Sequence, residues 1–167
     1  HNTANNYAAS VTDSDFVAAR KTGYTDRGDH FAALSSVYDM LVRNHVQFDI
    51  IDEVSITNGT ICNYDAVMLP EVACLSDEVA QLISEYVATG GKILGNFDIG
   101  MYNEDGSFAG KSKLAEVFGF ASEPKIVRSP SIGTSYMFKQ KDHPMLDSLS
   151  FFRIPSPILN AEYEMAE

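Results

Sequence analysis

The strongest regularity in the chain lies between residues 76 and 97. Val79, Leu82, Ile83, Tyr86 and Val87 recur at the spacing that gathers apolar side chains on one face of an α-helix. Ser76 stands ahead of them as the expected N-cap. Asp77 and Glu78 follow in the first turn, where the helix dipole favours negative charge. Gly90-Gly91 ends this helix, and Lys92 to Phe97 reads as a strand. An earlier stripe, Phe31, Leu34, Tyr38, Leu41 and Val42, predicts a second helix with Asp29 as its N-cap and Asn44-His45 as its stop. Phe48 to Ile51 reads as a short strand. Asp52 to Asn63 reads as a turn-rich connection containing Asn58-Gly59, and Ala66 to Leu69 as a buried strand closed by Pro70.

Helix, strand, strand, helix, strand is the rhythm of an open, mostly parallel α/β sheet. Beyond Phe97 the pattern predicts a long loop, Asp98 to Gly110, then a short helix, Lys113 to Phe118, stopped by Gly119. Lys125 to Arg128 and Ser135 to Lys139 read as strands near a sheet edge. The tail from Asp142, with Pro144, Pro155 and Pro157, reads as mostly irregular. The chain therefore divides into an irregular stretch at 1–30, an α/β domain at 31–141 and an irregular extension at 142–167. A sheet that opens with a helix feeding a strand lacks its first strand. That strand is expected upstream of His1 or from elsewhere; the alternative is a weak strand at Ala8 to Val11.

Composition narrows the function classes. At 167 residues the chain fits one domain, and 45% apolar residues exclude wholesale disorder. No apolar run approaches the ~20 residues of a membrane-spanning helix. The net charge of −11 repels both phosphate backbones and anionic lipid, so neither nucleic acid nor membrane is expected as a partner. Cys62 and Cys74 are too few for a disulfide scaffold, and no metal-type Cys/His spacing is present, so no metal or cofactor is expected. The compartment stays open.

Ligands of open α/β sheets bind beyond the carboxyl ends of the strands, here 52–54, 70–75 and 96–104. A hydrolase would hold its nucleophile on the turn Gly95 to Gly100, and would need Ser or Cys there with a His as base. Phe97 and Asp98 stand there instead, and an Asp at a strand end ordinarily caps a turn. Cys74 lies just ahead of a helix N-terminus, where a thiolate is favoured; the simpler reading is a small buried thiol. Glu71, Asp98 and Glu104 supply the carboxylates a glycosidase needs, but no spacing makes two of them face each other. Asp26, Asp29 and His30 are metal-ligand types in a loop where Asp is expected as a helix cap. Arg27-Gly28-Asp29 is a tripeptide that arises by chance. Asn58-Gly59-Thr60 is a formal glycosylation sequon whose simpler role is a turn. Phe97, Tyr102 and Phe108 make the long loop apolar, so it either folds onto the domain or docks against a partner. Asn96, Asp98, Tyr102 and Asn103 could surround a small sugar-binding cleft.

The order of several phrases resembles the middle, oligomerisation domain of family 42 β-galactosidases. These are Tyr38-Asp39-Met40-Leu41-Val42, Val46 to Glu53, Tyr64 to Pro70, Val72 to Glu78, Tyr86 to Gly91 and Gly100 to Gly106. Asp142-His143-Pro144 adds a weaker likeness, and Asn2-Thr3-Ala4 looks like the loop after a first strand. The resemblance implies a flavodoxin-like, class I glutamine amidotransferase-like three-layer sandwich. Amidotransferases use an elbow Cys and a His-Pro-Glu element; here Phe97-Asp98 and His143-Pro144-Met145 replace them, which implies no catalytic residue in this chain. It further implies a homo-oligomer, a trimer, that shapes the active-site entrance of a neighbouring barrel domain acting on carbohydrate. Glu71, Cys74, Asn96, Asp98, Tyr102 and Asn103 are then the candidate ligand or interface positions. An amidotransferase-like hydrolase using Cys74 or Asp98, and a carbohydrate-binding module, are the alternatives.

Overall fold

The computed structural model describes residues 29–96, 98–122, 125–128, 134–138, 151–155 and 159–166. Expectations for residues 1–28, including Ala8 to Val11 and Asp26, and for Phe97, Lys139 and His143-Pro144, lie outside the described residues.

The first apolar stripe forms α1, Asp29–Arg43, so Asp29 opens the helix one residue later than a cap would stand. The helix ends where Asn44-His45 predicted. His45 takes the left-handed φ of 56°, its N–H bonds to Val42 O (3.1 Å), and Val46 N–H reaches back to Leu41 O (3.0 Å). Phe48 to Ile51, expected as a strand, joins no ladder among the described residues. A strand exists only by pairing, and no described strand lies alongside it.

The supposed turn-rich connection is more regular than its polar composition suggests. It holds α2, Glu53–Thr57, and a 3₁₀ turn, Thr60–Asn63. Asp52 caps α2 by accepting the Ser55 N–H at 2.8 Å, and Gly59 turns the chain at φ 80° between the two elements. Ile56 and Ile61 anchor both pieces in the core.

β1, Ala66–Leu69, runs parallel to β2, Lys92–Gly95, with Ala66 opposite Lys92 and Met68 opposite Leu94. Between them lies α3, Asp77–Ala88, capped as predicted: the Ser76 hydroxyl accepts the Val79 N–H at 3.0 Å. Val79, Ile83 and Tyr86 of α3 are buried in one cluster with Leu69, Leu75 and Leu114. The Tyr86 hydroxyl donates to Tyr64 O at 2.9 Å, tying the helix to the start of β1. The expectation that β1 is buried holds on one face only. Leu69 is buried and Val67 half-buried, whereas Ala66 and Met68 are exposed.

α4, Ala115–Phe118, is shorter than predicted and stops at Gly119, φ 71°. The remaining described strands pair in two antiparallel ladders. β3, Lys125–Arg128, pairs with β6, Leu159–Glu162, and β4, Thr134–Phe138, pairs with β5, Phe151–Pro155. The tail therefore contributes two strands where its prolines suggested an irregular run. Pro155 closes β5 instead of interrupting it, as a proline at a strand end can. The architecture is a mixed helix–strand fold with a small parallel sheet, consistent with the α/β class.

Candidate functional site

The two parallel strands end side by side, so the loops after them become neighbours. Asn96, just past β2, points its side-chain oxygen at the Glu71 N–H just past β1 (2.8 Å). Glu71 holds a left-handed φ of 47°, a conformation that costs a non-glycine residue about 1–2 kcal/mol. The Asn96 bond therefore fixes a turn that Glu71 alone would not favour.

Beyond this clamp the loops zip together. Gly100 N–H bonds to Val72 O (2.9 Å), Tyr102 N–H to Ala73 O (3.0 Å) and Leu75 N–H to Tyr102 O (3.0 Å). Cys74 and Tyr102 thus form a parallel bridge, and Tyr102 bridges in turn to Phe108, whose ring meets its own edge-on at 5.8 Å. The long loop folds onto the domain: Tyr102 is fully buried. A tight turn at its tip keeps it there. Asn103 N–H bonds to Ser107 O (2.8 Å), the Asn103 side chain donates to the Ser107 hydroxyl (2.9 Å), and Asp105 accepts both Ser107 donors. The buried Ser112 hydroxyl fastens the loop's exit by donating to Ile99 O at 2.7 Å.

Of the six candidate positions, the structure joins Glu71 to Asn96 and Cys74 to Tyr102. Asn103 is engaged in its own turn. Asp98 is wholly buried and Cys74 is 2% exposed. Glu104 is solvent-exposed at the loop tip. His30, from the discounted metal cluster, instead places its Nδ1 at 2.9 Å from Pro70 O. Among the described residues no three His, Cys, Asp or Glu side chains are grouped to hold a metal ion, and no helix is long and apolar enough to cross a membrane.

One member of this neighbourhood was not legible in the sequence. Tyr163, from the tail, stacks on Phe120 at 3.8 Å, and Phe120 stacks on Phe118 at 5.4 Å. Burial first, and then the charge of Asp98, push the Tyr163 phenol well above the usual tyrosine range. A lone Tyr in a stretch that read as irregular carries no signal of this. Its position follows from ladders closed across the last part of the chain, with Ala121 N–H bonded to Glu164 O (2.8 Å) and Ala166 N–H to Gly119 O (2.7 Å).

Chemically, the arrangement is a knitted rim. A nucleophile must reach its substrate, and the Cys74 thiol and Asp98 carboxylate are closed off from solvent. The side chains that reach outward, Asn96 and Glu104 among them, are polar groups suited to contact or solvation.

No sequence among the curated proteins matches the chain. Among solved structures, the chain is similar to Gan42B, a GH42 beta-galactosidase from G., with a TM-score of 0.64 and 16% identity over 85% of this chain. It is also similar to a beta-galactosidase from Bifidobacterium adolescentis, with a TM-score of 0.51 and 18% identity over 74% of this chain. The chain spans 19% of the first of these proteins and 59% of the second. At these identities the likeness speaks to fold. The sequence profile described as "Beta-galactosidase trimerisation domain" matches residues 8–141, most of the chain. The chain therefore belongs to the family of beta-galactosidase trimerisation domains.

Proposed function

We propose that the chain is a non-catalytic assembly domain of a larger GH42-type beta-galactosidase. The observation that carries this is the match of the trimerisation-domain profile across residues 8–141. The closed rim supports it, because the groups that could act as nucleophiles in a sister fold, Cys74 and Asp98, are buried. In this reading the domain is a flavodoxin-like, amidotransferase-like sandwich that has exchanged a reactive elbow for a packed one. Three copies bury loop surface against one another, and that contact orients a neighbouring barrel domain and borders its active-site entrance. The two catalytic carboxylates and the galactoside belong to the neighbour, and carbohydrate touches this domain only at the shared entrance.

Two measurements test the reading on the purified chain. Sedimentation equilibrium should return a trimer at micromolar concentration, and a model galactoside should not be hydrolysed. A monomer at every concentration removes the assembly role, and turnover removes the non-catalytic one.

A further inference from the structure

α2 and the 3₁₀ turn after it meet at Asn58-Gly59, a dipeptide for which the assembly role has no use. Asn58 is the C-cap of α2 and is exposed, and its N–H donates to Val54 O at 3.0 Å. Gly59 follows at φ 80°, and nothing lies within 4 Å of the place a Cβ would take. An exposed amide side chain thus precedes a peptide nitrogen that no side chain shields, the arrangement in which an asparagine can react with its own backbone. In the folded segment two features hold that reaction off. Asn58 has a ψ of 4°, so the Gly59 nitrogen eclipses the Asn58 nitrogen and is rotated away from Cβ and the side-chain carbon it would attack. Reacting atoms need to approach to about 3–3.5 Å with their orbitals aligned. The Gly59 N–H also donates to Ile56 O at 2.9 Å, and the nitrogen becomes a nucleophile only after that proton has left.

Both restraints last only as long as α2 does. A helix of 5 residues does not persist by its own propensity and depends on its cap and its packing. The cap is Asp52, which accepts the Ser55 N–H at 2.8 Å and the Ser55 hydroxyl at 2.7 Å, and the packing is Ile56, buried in the core. We propose that Asn58 is a self-modification site, gated by local opening of α2, whose co-reactant is water. In the opened segment the Gly59 nitrogen gives its proton to solvent and bonds to Asn58 Cγ. The side-chain amide nitrogen takes up a proton and leaves as ammonia. The cyclic imide so formed adds water at either of its carbonyls. One ring-opening yields aspartate; the other yields isoaspartate, in which the main chain runs through the former side-chain methylene. Both products resist reclosure. A new carboxylate stands at the carboxyl end of α2, where the helix dipole favours positive charge. Isoaspartate also lengthens the link between Ile56 and Ile61, which are both held in the core. Each opening that reacts is thereby recorded in the covalent chain.

The test follows the 167-residue chain at neutral pH by peptide mapping with mass spectrometry, isoaspartate being counted by enzymatic methylation. A free peptide of residues 54–61 supplies the ungated rate. Asn58 in the folded chain should convert at least about tenfold more slowly than in that peptide. Asp52→Ala removes the cap, leaves the dipeptide intact and should raise the rate in the chain about fivefold. Equal rates in chain and peptide overturn the gate. So does an Asp52→Ala chain that converts no faster than the parent, because the reaction then does not run through opening of α2. A urea series on the parent chain keeps the test independent of how the variant folds. Conversion at Asn58 should accelerate at urea concentrations well below the global midpoint. A rate that rises only with the global transition assigns the gate to unfolding of the whole chain and sinks the proposal.

Discussion

α1 and α3 look alike in sequence and differ in the folded chain. Each carries five apolar residues at helical spacing, and each becomes a helix, Asp29–Arg43 and Asp77–Ala88. In α3 the stripe is spent: Val79, Ile83 and Tyr86 are buried against the sheet and the loop beyond it. In α1 two of the five are not, with Tyr38 and Val42 in contact with water and Tyr38 resting edge-on against Phe48 at 5.5 Å. Periodicity states which face of a helix must be covered; it does not supply the cover. α3 has its cover in β1, β2 and the knitted rim, and the buried apolar side chains among the described residues gather around it and in that rim.

The largest expected effect tests this directly. Ile83 is 0% exposed, so Ile83→Ala should cost about 2–5 kcal/mol through lost burial and the cavity left behind. Val42→Ala in the 167-residue chain should cost less than about 1 kcal/mol, since much of that side chain is already in water. Urea unfolding followed by circular dichroism measures both. Equal costs would mean that α1 is as well covered as α3, and the contrast would fall.

A smaller effect separates steric crowding from backbone strain within the covered half. A Cβ on Gly91 would lie 2.2 Å from the Tyr86 ring, so Gly91→Ala must displace the ring and its bond to Tyr64 O. The expected cost is about 1–3 kcal/mol. A Cβ on Gly59 meets nothing within 4 Å, and Gly59→Ala pays only for a φ of 80°, about 1–2 kcal/mol. The double variant Gly91→Ala/Tyr86→Ala discriminates the mechanisms. Adding the alanine at 91 should cost much less once the ring is gone; an unchanged increment would point to the backbone.

The same comparison explains what was legible in the sequence. α3, its Ser76 cap, β1, β2 and the membership of loops 70–75 and 96–104 in one rim follow from local rules: spacing, capping and the position of strand ends. The rest required partners distant in sequence. Phe48 to Ile51 has strand composition, yet a strand needs a neighbour, and composition cannot name one. The polar run at 52–63 hid two short helical turns, because two buried isoleucines five residues apart make no periodic pattern. β5 and β6 were masked by prolines that prove to lie at or outside strand ends. At the rim, Glu71, Asn96 and Asp98 were visible as residues that end strands. The Asn96 clamp on the Glu71 amide and the approach of Tyr163 to Asp98 were not, since both depend on how loops 25 or more residues apart settle on each other.

An intermediate effect bears on the helix starts. Ser76→Ala removes the oxygen that accepts the Val79 N–H and should cost about 1 kcal/mol, read as a shift in the urea midpoint with no change in its slope. A changed slope would mean that α3 had frayed and the denatured or native state had altered in extent.

The smallest effect lies at the surface and is read in acid. Hydrogen bonds from Ser55 to Asp52, and from Ser107 to Asp105, hold both carboxyls below the ordinary 3.8. A carboxyl depressed on folding binds its proton more weakly in the folded than in the unfolded chain. Its contribution is therefore complete above pH 3.8 and is lost as pH falls through the lower folded value. The two sites lie at different places on the covered half, Asp52 at the start of α2, next to its border with α1, and Asp105 at the tip of the rim. Asn cannot ionise, so Asp52→Asn and Asp105→Asn should lose near neutral pH the small contribution the carboxylate makes and flatten the decline below about pH 4. Urea midpoints between pH 6 and pH 2.5 measure the decline. If only Asp105→Asn flattens it, the rim unfolds with the core while the turn after Asp52 frays ahead of it, and the boundary between the covered and uncovered halves moves from α1 to include α2. If neither does, the two carboxyls titrate alike in the folded and unfolded chain, since only a difference between the states can give stability a pH dependence.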